Sequence, residues 1–388
     1  MRYFNSQFDN LDTYPMFRTM GVEEIFTLLH QNASHSHLPP LTLAFGNTDF
    51  SVQEYVDLGL LASEVEAVLS YGDIRGRIEL RSKISSFYAS NFGVDIPVER
   101  ILITDGATGA LVLALGLLVR PGSEVIVPSV GYTYYPRIIQ AFGGIPIRAP
   151  LDAAFNLESS HVADLITAKT AAIVVNSPGN PHGNITSFET LAEIASLGIP
   201  VVFDEVYQFI TFTGSFAPSA AQLPQEHFIV NGFSKSFAIP GLRMGFLIVP
   251  SRYAEVAESM MLLLHICTNR PAQLLAERLL ERADTVLKAH QAYMHRNRDI
   301  FLAACSRHNL RLLTHPLAGF YGIINLPENI DSMTAARLLA KNYALATAPG
   351  TDFADFDPGF LRLNFARRAE DVEEAVQRIA QFLQDMAH

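Results

Sequence analysis

The sequence predicts an α/β protein with two domains, and three features of the chain support this prediction. Its 388 residues exceed the length that one ordinary hydrophobic core accommodates. Apolar runs rich in isoleucine and valine alternate with helix-like segments between residues 101 and 210, which is typical of a mostly parallel sheet. Residues 251–388 instead combine long helical stretches with two strand-like runs. We expect a large domain with a mostly parallel mixed sheet sandwiched by helices, and a smaller α+β domain.

The predicted domain boundaries follow from this change of pattern. Residues 1–45 form an N-terminal arm that joins the small domain, residues 46–250 form the large domain, and residues 251–388 form the small domain. Within the arm, apolar residues recur at helical spacing over residues 22–30. A short strand-like run then ends in a glycine loop at Gly46.

Strands and helices can be assigned in order along the rest of the chain. The predicted strands are residues 101–104, 124–128, 171–175, 199–203, 227–230, 246–249, 320–325 and 360–365. The predicted helices begin after a glycine-rich turn at residue 78 and continue with residues 110–120, 135–142, 187–197, 253–265, 272–306, 333–341 and a last helix from residue 369.

The composition excludes several classes of protein. Hydrophobic residues make up 49% of the chain and charged residues 17%, which describes a well-buried globular protein. The net charge of -11 argues against nucleic-acid binding, because such proteins carry basic patches. Cys267 and Cys305 form neither a disulfide framework nor a metal-binding pattern, and they fit a reduced cytoplasmic setting. The N-terminus is too polar and acidic for a signal peptide, and the most apolar run, residues 111–119, is too short to span a bilayer.

A phosphate-binding turn is predicted after the first strand of the large domain. Residues 105–111, Asp-Gly-Ala-Thr-Gly-Ala-Leu, form a tight glycine turn that opens a long apolar helix. Free backbone N–H groups and the helix dipole favour an anion there, and the small Gly106, Ala107 and Thr108 would let a phosphate approach closely. The turn differs from the Gly-x-Gly-x-x-Gly pattern of dinucleotide-binding proteins, which disfavours a nicotinamide cofactor.

Further candidate residues follow the next strands, at the sheet edge where such sheets bind ligands. Tyr132 could stack on a flat heteroaromatic ring or simply pack in its loop. Residues 176–183, Asn-Ser-Pro-Gly-Asn-Pro-His-Gly, form a turn rich in proline and asparagine. Asp204 follows the fourth strand, where a partly buried carboxylate requires a cation or good donors. A pyridinium nitrogen would be such a partner, and Glu205 is the competing candidate.

The most specific stretch is residues 232–245, Gly-Phe-Ser-Lys-Ser-Phe-Ala-Ile-Pro-Gly-Leu-Arg-Met-Gly, between two apolar runs. Lys235 is the only one of five lysines that lies in such a frame of glycine, serine and phenylalanine. Partial burial favours the uncharged, nucleophilic form of an amine, which suits Schiff-base chemistry. Arg243 would supply a permanent cation for an anionic group of the same ligand.

This stretch resembles the lysine-attachment signature of the class I and II pyridoxal-phosphate aminotransferases at every position of that signature. The resemblance extends in the right order over nearly the whole chain. Residues 176–183 are similar to the family's Asn-Pro-x-Asn-Pro-Thr-Gly loop, with Ser177 and His182 as substitutions, and Val130 replaces the second proline of its Pro-x-Pro-x-Tyr pattern. Tyr71 matches a tyrosine that reaches the cofactor phosphate of the neighbouring subunit, which implies a homodimer with shared active sites.

The resemblance implies pyridoxal 5'-phosphate as the cofactor, held as a Schiff base on Lys235. It also implies that Asp204 pairs with the ring nitrogen, that Asn180 and Tyr207 contact the phenolic oxygen, and that Arg362 clamps the substrate α-carboxylate. The implied catalytic residues are Lys235, Asp204 and Tyr207. The implied cofactor-binding residues are Tyr71, Gly106, Ala107, Thr108, Tyr132, Asn180, Asp204, Tyr207, Ser234, Lys235 and Arg243. The implied substrate-binding residues are Gly46, Asn180 and Arg362, with Asn47 as a further candidate.

The predicted function is therefore an aminotransferase that moves an amino group between an L-amino acid and a 2-oxo acid. The alternative is a pyridoxal-phosphate-dependent lyase, cyclase or oxidase that acts on an amino acid, because a fold does not decide a reaction. A transcriptional regulator would need an attached DNA-binding domain, for which residues 1–45 look too short. We expect small-molecule partners, no nucleic acid, no membrane and no metal. The candidates for contact with a substrate side chain are Arg18, Asp49, Asn269 and Arg270.

Overall fold

The computed structural model describes residues 20–32 and 37–386 of the chain. The α-helices in those ranges are α1 (Gly21–Asn32), α2 (Ala62–Glu66), α3 (Ile78–Phe92), α4 (Gly106–Leu118), α5 (Tyr134–Ala141), α6 (Ser159–Ala163), α7 (Phe188–Ala195), α8 (Phe233–Ser236), α9 (Ala254–His265), α10 (Arg270–Glu281), α11 (Ala283–Arg307), α12 (Ser332–Asn342) and α13 (Ala369–Asp385). The strands are β1 (Leu41–Thr42), β2 (Ile101–Asp105), β3 (Glu124–Pro128), β4 (Ile145–Ala149), β5 (Thr170–Asn176), β6 (Val201–Asp204), β7 (Phe228–Gly232), β8 (Met244–Ile248), β9 (Tyr321–Asn325), β10 (Leu345–Ala346), β11 (Ala348–Pro349) and β12 (Phe360–Asn364). Within the described ranges, no helix is long and apolar enough to span a membrane.

A seven-stranded sheet forms the centre of the larger part of the molecule, with the strand order β2-β8-β7-β6-β5-β3-β4. The strands from β7 to β4 in that order are parallel, whereas β8 pairs antiparallel with both β7 and β2. The predicted mostly parallel mixed sheet is therefore confirmed. The sequence analysis missed β4, because this edge strand is only partly buried and carries Pro146 and Arg148 among its apolar residues.

Helices cover both faces of this sheet, and neighbouring residues of one strand belong to different cores. In β5, Ile173 and Val175 pack in the core that includes apolar residues of α3 and α10, whereas Val174 packs in the opposite core with residues of α4. Burial on both faces explains why these strands read as continuous apolar runs in the sequence. The predicted sandwich of a sheet between helices is confirmed.

A three-stranded antiparallel sheet, in the order β11-β12-β9, forms the centre of the smaller part of the molecule. It shares one core with apolar residues of α11, α12 and α13. The helix predicted in the arm is present as α1 and packs against α12, and β1 pairs in parallel with β10. These contacts join residues of the arm to the smaller part of the molecule.

Two helices that follow residue 250 pack on the large sheet instead of the small one. Met261 of α9 lies in the core on the α4 side, and Ala276 of α10 lies in the opposite core. The helical stretch predicted at residues 272–306 is divided at Arg282, because α10 packs against α3 whereas α11 packs against α13. The domain boundary at residue 250 stays a prediction, and this packing favours a later one.

Candidate active site

A cavity of about 340 Å³ lies between the carboxyl ends of the parallel strands and the small sheet, which is a suitable size for a small ligand. We call the side built on the large sheet the sheet wall. Its predicted site residues are Ala107, Thr108, Tyr132, Asn180, Asp204, Tyr207, Ser234, Lys235 and Arg243. We call the opposite side the small-sheet wall, which consists of Tyr321, Ala348, Asp352, Phe353 and Arg362. Gly46 lines the cavity as well.

Lys235 reaches the cavity from α8, the short helix that follows β7. Its Nζ donates a hydrogen bond to the backbone oxygen of Gly46 at 2.9 Å. A Cβ on Gly46 would lie only 2.6 Å from that Nζ, so a side chain at residue 46 would displace the lysine amine from this position. On the neighbouring strand β8, a Cβ on Gly245 would overlap the backbone of Gly106. The glycines of residues 232–245 thus allow α4 and the lysine loop to approach closely.

Asp204 is the last residue of β6 and is 3% exposed. Its Oδ2 accepts a hydrogen bond from the Tyr135 hydroxyl at 2.6 Å, and its Oδ1 accepts a long one from the Val206 N–H at 3.4 Å. Burial raises the pKa of Asp204 to about 6, although the Tyr135 hydrogen bond and the charge of Lys235 lower it. No ion pair joins this carboxylate to any described residue, so it is suited to a cationic ligand atom.

Glu205, the competing candidate, points away from the cavity. Its carboxylate accepts hydrogen bonds from the Ala220 N–H at 2.7 Å and the Ser219 hydroxyl at 2.8 Å. Burial raises the pKa of Glu205 to about 8, against the effect of these hydrogen bonds. Consecutive side chains of extended backbone face opposite directions, so only Asp204 can face the cavity.

The predicted anion seat lies at the start of α4. Gly106, at φ +72°, begins the helix, and Ala107 and Thr108 line the cavity. The guanidinium of Arg243 lies beside this turn, because a Cβ on Gly106 would be 2.5 Å from its Nη2. Arg243 is exposed and donates one hydrogen bond, from Nη1 to the Pro240 oxygen at 2.9 Å. Backbone N–H groups and a guanidinium here can bind a phosphate.

Arg362 faces the cavity from β12 and is 7% exposed. Its Nη1 donates to the Oδ1 of Asn180 at 2.9 Å, and its Nη2 donates to the Ala44 oxygen at 2.5 Å. The guanidinium lies 4.0 Å from the ring centroid of Tyr321 and 4.7 Å from that of Phe353. Its Nε has no hydrogen-bond partner in the structure, and no described carboxylate forms an ion pair with it. This arginine is therefore placed to bind an anionic ligand.

Two tyrosines of the sheet wall flank the lysine and the aspartate. Burial raises the pKa of Tyr207 well above its usual value, and its hydroxyl donates to that of Tyr321 at 3.4 Å. Burial also raises the pKa of Tyr132 to about 12, although a hydrogen bond with Thr108 lowers it. Both phenols are therefore neutral near pH 7 and can act as hydrogen-bond donors.

Several predicted residues do not line the cavity. Tyr71 is 80% exposed and lies outside it. Asp49 pairs with Arg367 at 3.2 Å, Asn269 caps α10, and Arg270 donates to the Ser70 oxygen at 2.7 Å. Neither Gly106 nor Asn47 lines the cavity directly. Arg18 lies outside the described residues.

The structure adds site residues that the sequence analysis did not select. Tyr135 holds Asp204, and the Oδ1 of Asn176 accepts a hydrogen bond from the Asn180 N–H at 2.9 Å. Tyr321 and Phe353 line the cavity around Arg362. The sequence signals for Asn176 were its place at a strand end and its position as the first residue of the loop that resembles the family pattern. Tyr321 had no signal beyond its place in a strand.

The residues present fit the cofactor that the resemblance implies. Pyridoxal phosphate requires an amine for its aldehyde, a carboxylate for its ring nitrogen and an anion seat for its phosphate. The sheet wall supplies Lys235, Asp204 and the start of α4 with Arg243. A buried carboxylate without an ion pair is costly, and a protonated ring nitrogen would remove that cost.

Comparisons with known proteins identify the family of this chain. The family model for aminotransferases of class I and II matches residues 41–379. The chain is 29% identical over 357 residues to the aspartate/prephenate aminotransferase of Thermus thermophilus, which covers 88% of this chain and 91% of that protein. It is 27% identical over 381 residues to the aspartate aminotransferase of Sulfolobus acidocaldarius, which covers 93% of this chain and 95% of that protein.

Solved structures show the same similarity. A mutant aspartate aminotransferase of Thermus thermophilus matches with a TM-score of 0.86 and 25% identity, over 99% of this chain and 100% of that chain. The aromatic aminotransferase from Pyrococcus horikoshii matches with a TM-score of 0.83 and 25% identity, over 92% and 99% of the two chains. All of these proteins are named as aminotransferases, and none supports the alternative of a lyase, cyclase or oxidase. The chain therefore belongs to the class I and II aminotransferases, which use pyridoxal phosphate to move an amino group between an amino acid and a 2-oxo acid.

Proposed function

We propose that Lys235 binds the cofactor as a Schiff base and carries the proton during amino-group transfer. It is the only lysine lining the cavity among the described residues, and the Gly46 oxygen holds its Nζ at 2.9 Å. Pyridoxal phosphate, when bound, supplies an aldehyde for the amino group and a ring that stabilises negative charge at the substrate Cα. Once its amine is free, Lys235 takes a proton from that Cα as a general base and later returns it as a general acid.

The remaining residues of the sheet wall hold the cofactor in this proposal. Asp204, fixed by the Tyr135 hydroxyl, pairs with the ring nitrogen and keeps it protonated. Asn180 and Tyr207 are the proposed contacts of the phenolic oxygen. Tyr132 is the proposed contact of the ring face. The proposed phosphate contacts are Gly106, Ala107, Thr108, Ser234 and Arg243.

Arg362 binds the α-carboxylate of the substrate in this proposal. Its guanidinium is buried, and its hydrogen bonds go to the neutral oxygens of Asn180 and Ala44. A planar guanidinium can bind a carboxylate through two parallel hydrogen bonds. Gly46, which lines the cavity beside Lys235, is a further proposed substrate contact.

The single observation that carries the proposal is that Lys235, Asp204 and Arg362 surround one cavity. Its test is to add a panel of L-amino acids to purified protein loaded with pyridoxal phosphate. We expect the cofactor absorbance to shift and a 2-oxo acid to form. Borohydride reduction followed by peptide mapping should label residue 235, and Lys235→Ala should lose both signals. Lys288→Ala, at an exposed lysine of α11, is the matched control. Ammonia release without a requirement for an oxo-acid acceptor would contradict transamination.

We further propose that the active unit is a homodimer in which Tyr71 contacts the cofactor phosphate of the partner subunit. Tyr71 and Leu69 are 80% and 74% exposed, and Leu263 at the end of α9 is 86% exposed. An exposed apolar surface of this kind is typical of a protein–protein interface. Leu264, next to Leu263, borders the same surface cleft as Arg243, so the exposed end of α9 lies close to the proposed phosphate seat. A cytoplasmic location is also proposed, which the free cysteines Cys267 and Cys305 support.

Mixing two inactive variants tests the shared site. A hybrid of a Lys235→Ala subunit and a Tyr71→Ala subunit has one site with both native residues if Tyr71 acts across the interface. We expect the mixture, after dissociation and reassociation, to regain up to about a quarter of the native activity for random pairing. No gain in a mixture that contains hybrid dimers would show that Tyr71 does not act across the interface.

A further inference from the structure

Tyr321 lies between the two cations that the proposed reaction uses. It is 4% exposed and lines the cavity. The guanidinium of Arg362 lies 4.0 Å from the centroid of its ring. A Cβ on Gly46 would clash with both the Tyr321 hydroxyl and the Nζ of Lys235, so not even a methyl group fits between these atoms. One side chain thus places its ring against the arginine and its hydroxyl beside the lysine.

The strand register explains this placement. In the antiparallel pair of β9 and β12, Tyr321 is opposite Asn364 and Ile323 is opposite Arg362. Residues two apart in a strand share a face, so Tyr321 and Arg362 are diagonal neighbours within reach of each other. The hydroxyl then extends past the arginine towards the lysine of the other wall.

The groups that face the Tyr321 hydroxyl are Lys235, Arg362, Tyr207 and Tyr132. Burial by itself raises the pKa of Tyr321, but the charges of Lys235 and Arg362 and the hydrogen bond from Tyr207 lower it below its usual value. The oxygen is therefore more acidic than that of an ordinary buried tyrosine. It already accepts a hydrogen bond from Tyr207 at 3.4 Å. An acceptor of this kind can also bind the ammonium group of a lysine.

In the structure the lysine Nζ donates to the Gly46 oxygen and not to Tyr321. We propose that Tyr321 is a positioning residue for Lys235, and that a small shift of this flexible amine lets the Tyr321 hydroxyl oxygen accept a second hydrogen bond from it during turnover. With the Gly46 oxygen on its other side, the Nζ is then held between two acceptors and stays directed towards the substrate Cα. The ring of Tyr321 supports Arg362 at the same time. This inference rests on the role of Lys235 in the proposed function.

The first test measures the ionisation of tyrosines in the cofactor-free protein by ultraviolet difference titration. We expect the native protein to have one tyrosine that ionises below the usual range, and Tyr321→Phe to lose this transition. In Lys235→Met the same transition should move to higher pH, because the positive charge beside the hydroxyl is gone. An unchanged transition in Lys235→Met would overturn the inference.

The second test separates the hydroxyl from the ring in the loaded enzyme. Tyr321→Phe keeps the ring under Arg362, so we expect kcat to fall about 10- to 100-fold with little change in KM. One of the ionisations that shape the pH profile of kcat should also be lost or shifted in Tyr321→Phe. Tyr321→Leu removes the ring as well and should raise the KM for the amino acid about 10-fold.

Tyr343→Phe, at a tyrosine outside the cavity, is the matched control and should leave kcat and KM unchanged. A native kcat and pH profile in Tyr321→Phe would overturn the inference, because the ring without its hydroxyl would then be enough to support Lys235 and Arg362. If the native enzyme itself failed to transaminate, the proposed function would fail. The titration of the cofactor-free protein would still report whether Tyr321 and Lys235 interact.

Discussion

The two walls of the cavity are assembled in different ways. On the sheet wall, Tyr132, Asp204 and Lys235 each follow the end of a strand in one sheet. Parallel strands bring such residues to one edge whatever the length of the segments between them. On the small-sheet wall, Tyr321 and Arg362 meet only because β9 and β12 pair in one antiparallel register. Local motifs therefore identify the first wall, whereas on the second wall they identify Arg362 but not Tyr321, whose place beside it depends on strand pairing.

The walls also differ in chemistry. The sheet wall combines an amine with a buried carboxylate, whereas the small-sheet wall offers a guanidinium between two aromatic rings. We therefore expect substitutions on the sheet wall to act mainly on kcat. Substitutions of Arg362 on the small-sheet wall should act mainly on KM.

The largest effect is expected from Lys235→Arg on the sheet wall. Arginine keeps the positive charge but cannot supply an uncharged nucleophilic amine. We expect the rate of 2-oxo acid formation to fall at least about 10³-fold. The matched change Lys288→Arg, on the exposed face of α11, should leave the rate unchanged. A rate within tenfold of the native value would remove Lys235 from the proton-transfer role.

The next effect is expected from Arg362→Lys on the small-sheet wall. A lysine keeps the charge but loses the bidentate geometry, so the KM for the amino acid should rise about 10- to 100-fold. The fall in kcat should be smaller. Steady-state kinetics measure both, with Arg337→Lys as the control, since Arg337 pairs with Glu24 on the surface at 2.7 Å. A fall in kcat with an unchanged KM would break the contrast between the walls.

A third prediction separates Asp204 from Glu205, which lies behind the sheet wall. Burial raises the pKa of Glu205 from 4.5 to about 8, so the folded protein binds a proton that the unfolded chain releases. This stabilisation is complete below pH 4.5 and is lost as the pH rises to about 8, a loss of about 5 kcal/mol in the free energy of unfolding. Glu205→Gln, which stays neutral, should remove this dependence and keep activity.

Urea unfolding of the cofactor-free protein at several pH values measures this effect. The interval from about pH 6.5 to 8 is the informative one for Glu205. Asp204 has a pKa of about 6, so its own effect on the free energy of unfolding falls mainly at lower pH. An equal loss of stability in the native protein and in Glu205→Gln would contradict the assignment. Asp204→Asn should instead lower kcat.

The smallest effect is expected at His182, which lies in the same loop as Asn180 but does not line the cavity. A Cβ on Gly179 would clash with the His182 ring, with Nδ1 at 2.8 Å. Gly179→Ala should therefore destabilise the native protein by about 1–3 kcal/mol. In a His182→Thr background, Gly179→Ala should lower the free energy of unfolding by much less. A double-mutant cycle of unfolding free energies measures the coupling, and additive effects would contradict this packing.

Sequence patterns predicted most strands and the residues after them, because a buried strand that ends in small residues is visible locally. Without the family resemblance they could not choose between Asp204 and Glu205, since the choice depends on the side that each extended residue faces. They also merged α10 and α11, because both have helical periodicity and only their packing against α3 and α13 separates them. Tyr321 gave no local sign of function.

The order of most elements, the lysine-containing loop and the acidic and glycine-rich strand ends could be predicted from the residues alone. These are local properties of periodicity and turn chemistry. The place of Tyr321 between Arg362 and Lys235, and the position of Tyr71 outside the cavity, became visible in the folded molecule alone. The physical reason is that strand register and the meeting of the two walls depend on packing between segments far apart in the chain.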